Sequence, residues 1–281
     1  MIVLKASAAD YGKAKEIQDT ASSGTGVQTV ERALALLTIL SSGRTEAEFG
    51  VTELSKMLGV GKSSVHRLLT SLQKYDFVEK NPRTEKYHLG WGVFAMASQV
   101  PKVRVLQRAA RDVLEELCLA SKETVNLAIL EHTDVVTIDK VEPNSILKMD
   151  IPIGLREPAY ATALGKAILS DLDPEAVRRR FQDATLQKLT PQTVTDVDEL
   201  ISLLRRVGKR GYAIDNQEYS VDIRCVGAPI RGSSGRAIAA VSVTGPAQRF
   251  SLGQMEEITP LVVETAATIS ERLGYRGERT G

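Results

Sequence analysis

Residues 51–75, VTELSKMLGVGKSSVHRLLTSLQKY, contain two short segments of helical periodicity separated by a turn with two glycines. In the first segment the apolar residues recur three and four positions apart, so they form one face of a helix. These residues are Leu54, Met57 and Leu58. Thr52 is expected to cap the helix at its start, and Gly59 to end it. The spacing therefore predicts a helix-turn-helix.

The second segment has its own apolar face and a polar face of a kind that suits DNA. The apolar residues are Val65, Leu68, Leu69 and Leu72, and the polar ones are Lys62, Ser63, Ser64, His66, Arg67 and Thr70. A guanidinium can donate two hydrogen bonds to guanine, so Arg67 is expected to contact a base. Ser63 and Ser64 are expected to reach base edges or phosphates from the start of the helix.

Two short strand-like runs follow, over residues 77–80 and 86–89, and a turn at residues 81–85 joins them. This pattern predicts a small hairpin, or wing. Arg83 and Lys86 are expected to contact the DNA backbone, and Thr52 completes the candidate DNA-binding set. A helix-turn-helix can also dock onto another protein, and the sequence leaves that alternative open.

The distribution of charge favours DNA. Between residues 62 and 111 there are ten Lys or Arg against three Asp or Glu, a balance of +7. The whole chain has a net charge of +1, so the remainder carries −6. Basic charge is thus concentrated around the predicted helix-turn-helix, as binding to phosphates requires.

Several motifs in order resemble the IclR (isocitrate lyase regulator) family of bacterial transcription regulators. They are TVERALALLTILSSG, the stretch from VTELSKMLGVGK to KYHLG, PAYATALGKAILS, GYAIDNQEYSVDIRCVGAPI and GRAIAAVSVTGP. The resemblance covers residues 25–275. Three positions depart from the family pattern: Gly61 replaces the usual Ser or Thr cap, Tyr160 a common His, and Asp222 a usual Gly.

The resemblance implies a domain plan and partners. It implies a winged helix-turn-helix domain over residues 25–90, a linker helix over 91–104, and a GAF-like effector-binding and oligomerisation domain over 105–281. A tail at residues 1–24 is expected to be disordered from its composition. The implied partners are a double-stranded DNA operator, which is a pseudo-palindrome, a small-molecule effector, and a second copy in a homodimer or homotetramer.

The bulk composition is that of an ordinary globular protein, with 43% hydrophobic and 25% charged residues. Two distant cysteines and three scattered histidines indicate neither a disulfide framework nor a metal site. No apolar run is long enough to cross a bilayer and the N-terminus lacks a signal peptide, so we expect a cytoplasmic protein without a membrane partner.

Periodicity predicts helices at residues 28–41, 102–121, 163–170, 174–181, 197–210 and 254–273. Strands are predicted at 124–130, 135–141, 146–150, 212–215, 225–231 and 237–244. In the first of these helices, Leu36 and Ile39 widen the apolar face, which suits either burial or a dimer contact. The pattern predicts an α+β fold with a mainly antiparallel sheet and helices on one side.

No enzyme motif is present. Cys225 is the best candidate nucleophile, but it lies in an apolar strand with no histidine nearby in sequence, which favours a buried structural cysteine. Lys166 follows Gly165, yet the phosphate-loop pattern is not met. We expect no catalytic residue and no cofactor, and a metabolite-sensing role suits the second domain better.

The start of the helix near Thr162 is expected to present free N–H groups at Ala163, Leu164 and Gly165, which attract a carboxylate. The resemblance places the effector there and implies the following contacts: Ile146, Ala163, Leu164, Asp215, Ile223, Cys225, Ser242 and Thr244. Ser242 and Thr244 alternate along a strand and share a face, as do Ile223 and Cys225. Alternatively, the two hydroxyls satisfy nearby backbone and Asp215 caps a turn.

Overall fold

A computed structural model describes residues 27–41, 48–97, 99–145, 149 and 151–277. The described chain divides into two compact units, one on each side of the bond between Pro101 and Lys102. The tail predicted to be disordered, residues 1–24, lies outside the described residues.

The N-terminal unit contains three helices, a hairpin and a fourth helix. They are α1 (Gln28–Ser41), α2 (Val51–Leu58), α3 (Lys62–Lys74), β1 (Val78–Lys80), β2 (Tyr87–Leu89) and α4 (Trp91–Ala97). The helix-turn-helix and the wing are therefore formed as predicted. Gly59 ends α2 with a positive φ of 64°, a conformation that suits glycine, and Gly61 begins α3 with an extended backbone.

The predicted cap of α2 was wrong. Gly50 occupies the cap position, and its N–H donates to Glu53 Oε2 at 2.7 Å. Thr52 is the second residue of the helix instead, and its side chain is exposed. A glycine serves here because the Glu53 carboxylate satisfies the backbone donor that precedes the helix.

One apolar core holds this unit together, with contributions from α1, α2, α3 and both strands of the wing. Leu36 and Ile39 lie fully inside it, so their role is burial within the domain and not the alternative of a dimer contact. The hairpin joins the core through Val78 and Tyr87, which fixes the wing against the recognition helix α3.

The C-terminal unit has five helices and six strands among its described residues. They are α5 (Pro101–Ser121), β3 (Thr124–Glu131), β4 (Asp134–Val141), β5 (Arg156–Pro158), α6 (Ala163–Leu169), α7 (Pro174–Phe181), α8 (Val197–Arg210), β6 (Ala213–Asn216), β7 (Ile223–Arg231), β8 (Ala237–Pro246) and α9 (Leu252–Arg272). The linker helix predicted over residues 91–104 is present but shorter than that range, because α4 ends at Ala97 and α5 begins at Pro101. Proline is compatible with the first position of a helix, where no backbone N–H is needed.

The strands form one antiparallel sheet in the order β5-β4-β3-β8-β7-β6. The strand predicted at residues 146–150 lies outside the described residues except for Met149. The sequence analysis missed β5, which has three residues, too few for periodicity to reveal.

Helices cover both faces of the sheet, so the prediction of helices on one side was wrong. On one face, α5 and α9 pack against residues such as Leu127, Val226 and Val241. On the other face, α6, α7 and α8 pack against Ala128, Ala213 and Ala240. The central strands β3, β7 and β8 contain nearly continuous buried runs, which is the pattern of strands buried on both faces.

Helix α6 approaches its neighbours closely because of two glycines. A Cβ atom at Gly165 would lie 2.2 Å from the carbonyl oxygen of Ala159, and one at Gly227 would lie 3.3 Å from the carbonyl carbon of Ala163. The first distance is impossible for a real carbon atom, so only glycine fits at Gly165. Position 165 thereby fixes how closely α6 packs against the segment that follows β5, and Gly227 allows the first residue of α6 to approach the sheet.

We expect Gly165→Ala to lower the free energy of unfolding by about 2–4 kcal/mol, because the added methyl group must push α6 away from buried backbone. Gly253→Ala is a matched control, since its Cβ would meet only the Ser251 hydroxyl at 3.9 Å. That change should leave stability unaltered or raise it by up to about 1 kcal/mol. Urea denaturation of both variants measures the difference, and equal stabilities would contradict this role of Gly165.

Candidate functional site

The recognition helix α3 presents a polar face to solvent. Lys62, Ser63, His66, Arg67 and Thr70 are exposed, and Ser64 is half-buried. The apolar residues of the same helix, Val65, Leu68 and Leu69, are buried beneath them. The Thr70 hydroxyl donates to the carbonyl oxygen of His66 at 2.9 Å, so its proton is already engaged. The other side chains of this face remain available to a partner.

The wing holds one basic side chain well out in solvent. Arg83 is exposed at the tip, where the Asn81 side-chain oxygen accepts from its backbone N–H at 2.8 Å and shapes the turn. Lys86 lies 4.0 Å from the Glu53 carboxylate, and Lys80 pairs with Glu85. Such exposed pairs are weak and do not prevent contact with phosphate. Thr52, exposed near the start of α2, completes the surface.

In the C-terminal unit, four of the predicted effector residues meet on the sheet face that α6 covers. Asp215, Cys225 and Thr244 stand opposite one another across β6, β7 and β8. Ser242 is two residues before Thr244 and therefore shares its face, next to Gly227. All four side chains are buried. The sheet thus brings together residues that are up to 29 positions apart in sequence.

Helix α6 reaches this face with its first residue. The backbone of Ala163 lies over Gly227, beside Ser242, and Leu164 is buried in the core below α7 and α8. The prediction of three free N–H groups was wrong for Gly165, because its N–H donates to the Thr162 hydroxyl at 3.1 Å. Thr162 is the cap of the helix, and its side chain takes one of the donors that a ligand would need.

Two further predicted residues are less informative. Ile223 is half-buried at the start of β7 and shares the face of Cys225. Ile146 lies outside the described residues.

The sequence analysis missed several polar residues of the same face. Asn126 stands opposite Ser242 on β3, and its amide donates to the Thr244 hydroxyl at 3.1 Å. Thr137, on β4, is also buried there. Within the described part of the chain, the hydroxyl oxygens of Thr137 and Ser242 have no hydrogen-bond partner. Buried polar atoms are rarely left without one, so this face is equipped for a guest with polar groups.

A cluster of buried charges adjoins this polar face. Lys166, on α6, is only 1% exposed and forms an ion pair with Glu218, in the loop after β6. Asp215 is close to both, and its Oδ1 accepts from the backbone N–H groups of Glu218 and Tyr219 at 2.7 and 3.3 Å. Glu157, on β5, is buried within electrostatic reach of Asp215. The cluster therefore contains three carboxyl groups and one ammonium.

Burial dominates the titration of two of these acids. It raises the pKa of Asp215 to about 7, and the Lys166 ammonium opposes that rise while Glu218 adds to it. Burial likewise raises the pKa of Glu157 to about 7, with a further contribution from Asp215. The two carboxyl groups repel each other when both are ionised, so they titrate as a pair near neutral pH.

Cys225 is a poor nucleophile in this setting. Burial and the nearby Asp215 carboxylate raise the pKa of its thiol well above the usual range. The thiolate, which is the reactive form, is thus disfavoured. This finding agrees with the interpretation of Cys225 as a buried structural residue.

Three more observations bear on function. The described residues contain no group of His, Cys, Asp and Glu that could hold a metal ion, and no helix among them could span a membrane. An open pocket of about 240 Å³ lies at the surface between the loop before α8, α8 itself and the end of β6. Glu218 lines that pocket and also pairs with Lys166, so it stands at the boundary between the surface and the buried cluster.

The chain thus combines a winged helix-turn-helix, which has an exposed polar recognition helix, with a separate α+β domain that has a buried polar face. This combination is typical of a DNA-binding regulator. Comparison with known proteins identifies the family. Residues 29–82 match the IclR helix-turn-helix domain, and residues 98–271 match the domain described as bacterial transcriptional regulator IclR C-terminal. The chain belongs to the IclR family of bacterial transcription regulators.

Individual relatives agree with this assignment. The chain is 31% identical to the HTH-type transcriptional regulator KdgR of Escherichia coli over 247 residues, which cover 88% of this chain and 94% of KdgR. It is similar to the crystal structure of Thermotoga maritima IclR, with a TM-score of 0.73, 29% identity, and coverage of 88% and 99%. An IclR homologue from Microbacterium hydrocarbonoxydans, crystallised with 4-hydroxybenzoate, shares the fold at 21% identity, with a TM-score of 0.75 and coverage of 87% and 98%.

Proposed function

We propose that this regulator is cytoplasmic, responds to a small organic acid or aromatic metabolite, and controls a catabolic operon. The observation that carries the proposal is the buried polar face under α6, where the hydroxyls of Ser242 and Thr137 lack partners. Leaving polar atoms unpaired in a core costs stability, so a site of this kind is better explained by a ligand than by folding. The relative crystallised with 4-hydroxybenzoate supports an organic acid as the first class to test.

For DNA, we propose that α3 enters the major groove and that the wing contacts the backbone. Arg67 is exposed on the polar face of α3 and can donate to a guanine. Lys62, Ser63 and Ser64 stand at the first turn of α3, where free N–H groups also favour a phosphate. Arg83, at the exposed tip of the wing, is placed for phosphate.

Arg67→Ala should therefore reduce binding to the operator by about 1–3 kcal/mol and relax the preference at one base position. Arg83→Ala should weaken binding to all sequences alike and lower the slope of log K against log salt by roughly one. Fluorescence anisotropy with operator and random duplexes measures both quantities. The assignment of Arg67 fails if the variant loses the same affinity for operator and random DNA.

We propose that the functional unit is at least a dimer that contacts a pseudo-palindromic operator. One recognition helix makes too few contacts for typical operator affinity, so two copies are needed. Helix α4 offers a surface for the second copy, since Trp91, Phe94 and Met96 are 73%, 66% and 62% exposed. Its other side is fixed at Gly92, where a Cβ would lie 2.7 Å from the carbonyl oxygen of Tyr75. Exposed apolar side chains grouped on one helix mark a candidate protein–protein surface, and we propose that a second copy of the chain covers this one.

Replacing Trp91 and Phe94 together by Ser should shift the protein toward monomer and weaken operator binding at least tenfold, because the apolar area buried between the copies is lost. Leu119→Ser, at an exposed leucine of α5, is the control and should leave the dimer intact. Light scattering at the concentration that saturates the operator gives the mass. A wild-type monomer under that condition would refute the dimer.

For the effector, we propose contacts with Ala163 and Leu164 at the start of α6 and with Asp215, Ile223, Cys225, Ser242 and Thr244 on the sheet. The registers of β6, β7 and β8 support a common location for Asp215, Cys225 and Thr244, and burial supports a site closed to water. Ile146 belongs to the proposed set through the family resemblance alone. The ligand changes the affinity for DNA only if it binds the DNA-competent and DNA-incompetent states with different affinities. The size of that difference limits the size of the change.

A thermal-shift screen of small organic acids and aromatic compounds should find a ligand that raises the melting temperature, because a ligand that binds only the native state stabilises it. Calorimetry on the variants then locates the site. Ser242→Ala should cost about 1–2 kcal/mol of binding free energy through a lost hydrogen bond, and Leu164→Trp should block binding by filling the space. Ser233→Ala, in the exposed β7-β8 turn, is the control. Unchanged affinity in both site variants would place the effector elsewhere.

Catalysis is not part of the proposal. The relatives named above are transcription regulators, and the one nucleophile considered, Cys225, is held as a thiol by burial. If a Cys225→Ser variant abolished turnover of a candidate metabolite, an enzymatic role would have to be reconsidered.

A further inference from the structure

The buried charge cluster has more acid than base. Among its described residues the cluster holds three carboxyl groups, those of Glu157, Asp215 and Glu218, and one ammonium, that of Lys166. Glu218 forms the ion pair with Lys166, and Asp215 accepts two backbone hydrogen bonds. Within the described part of the chain, the Glu157 carboxyl group has no ion-pair partner and accepts no hydrogen bond, although the residue is only 7% exposed. An ionised Glu157 would therefore be an uncompensated buried charge.

The Glu157 side chain lies on the same side of the sheet as the proposed effector site. It stands opposite Val135 in the β4-β5 pairing, on the sheet face that α6 covers. The Asp215 carboxylate contributes to the raised pKa of Glu157, and the Glu157 carboxylate contributes to the raised pKa of Cys225; Asp215 and Cys225 are both proposed effector contacts. Thr137, whose hydroxyl has no partner among the described residues, is two residues beyond Val135 on the same face.

The other described charged groups around Glu157 do not neutralise it. Arg156 and Asp134, its neighbours along β5 and β4, lie 3.9 Å from each other across the strands. Lys140, farther along β4, pairs with Glu142. Lys166 is paired with Glu218, and Cys225 is held as a neutral thiol. The remaining group is Asp215, whose negative charge repels that of Glu157.

We propose that the site binds an anionic ligand together with one proton, and that Glu157 is the residue whose protonation admits the anion. This inference rests on the effector site proposed above. An ionised Glu157 repels a ligand carboxylate in a site that water cannot screen. A protonated Glu157 carries no charge and gains an O–H group that can donate a hydrogen bond to the ligand. The proton is taken from solvent when the anion enters.

The linkage has a definite sign. Burial keeps the pKa of Glu157 near 7 in the ligand-free protein, so the carboxyl group loses its proton as pH rises through neutrality. Affinity for an anion should then fall as pH rises from 6 to 8. One coupled proton changes the dissociation constant by about tenfold over that interval, because each unit of pH above the pKa removes a factor of ten from the protonated fraction.

The test uses calorimetry with 4-hydroxybenzoate and with pyruvate at pH 6 and pH 8, and with neutral 4-hydroxybenzamide for comparison. The full-length protein should bind at least one of the anions about tenfold more weakly at pH 8. Glu157→Gln should show a smaller change for the same anion, because Asp215 is then the one carboxyl group of the pair that still titrates near neutral pH, whereas Glu157→Asp, which keeps a carboxyl group, should retain the full pH dependence. Glu264→Gln, at an exposed position of α9, should behave as the wild type.

A second measurement needs no ligand. The pKa of Glu157 is higher in the folded protein than in the unfolded chain, so the folded state holds the extra proton between about pH 5 and pH 7. The stability that depends on this proton is lost as pH rises through that window and does not change further above it. Thermal unfolding of the wild type should therefore show a fall in melting temperature from pH 5 to pH 7 that is smaller in Glu157→Gln.

Each contrary result is informative. Equal affinity for the anion at both pH values, or tighter binding at pH 8, overturns the proposal while leaving an effector site in place. The proposal also fails if neither anion binds the wild type at pH 6. It fails as well if neither anion binds Glu157→Gln at pH 8. It fails again if Glu157→Gln leaves the pH dependence of stability unaltered. Operator binding is measured separately, so the loss of this inference does not affect the assignment as a DNA-binding regulator.

Discussion

The close approach of α6 to the backbone of Ala159 and to the sheet is the contact on which the C-terminal domain depends. Gly165 permits the approach to Ala159, since no other residue has room there, and Gly227 permits the approach to the sheet. The approach brings Ala163 over Gly227 and beside Ser242, and it carries Lys166 into a region that is otherwise closed to water. Without the close approach of α6, the polar residues of the sheet would face solvent. There a hydrogen bond to a ligand contributes little free energy, because it only replaces a hydrogen bond to water. A single packing constraint thus produces both the core and the site.

The same face shows why this domain is suited to sensing. A core built only for stability would place apolar side chains where Asn126, Ser242, Thr244 and Asp215 stand. Here β3 and β8 are apolar on the face toward α5 and α9 and carry Asn126, Ser242 and Thr244 on the face toward α6, and Asp215 joins that face from β6. The side with α5 and α9 is an apolar core, and the side with α6 contains the proposed effector site. Residues that break a local rule in this way mark functional positions.

The sequence predicted the helix-turn-helix, the wing and most of the strands, because each has strong local signals. The two glycines of the turn and the helical spacing of leucines around them specify α2 and α3 without any long-range information. The cap at Gly50 could not be predicted in this way, because it depends on the Glu53 side chain turning back. Strand β5 and the helices on both faces also escaped prediction, since three residues carry no period and the direction in which a helix packs is a tertiary property.

The site was only partly accessible from sequence for a related reason. Residues two positions apart in a strand share a face, so the sequence placed Ser242 and Thr244 on one face of β8. The same spacing places Thr124 and Asn126, in TVNLAIL, on one face of β3. Nothing local reveals that Lys166 pairs with Glu218 across 52 positions, or that Glu157 meets Asp215 from another strand.

Linkage connects these buried charges to the DNA-binding domain. If ligand binding and proton uptake are coupled by a given factor, each must change the affinity for the other by that same factor. A ligand that alters DNA affinity then makes DNA affinity depend on pH as well, by no more than the smaller of the two coupling factors. The excess of carboxyl groups over Lys166 would thus set not only which ligand enters but also the conditions under which the regulator responds to it.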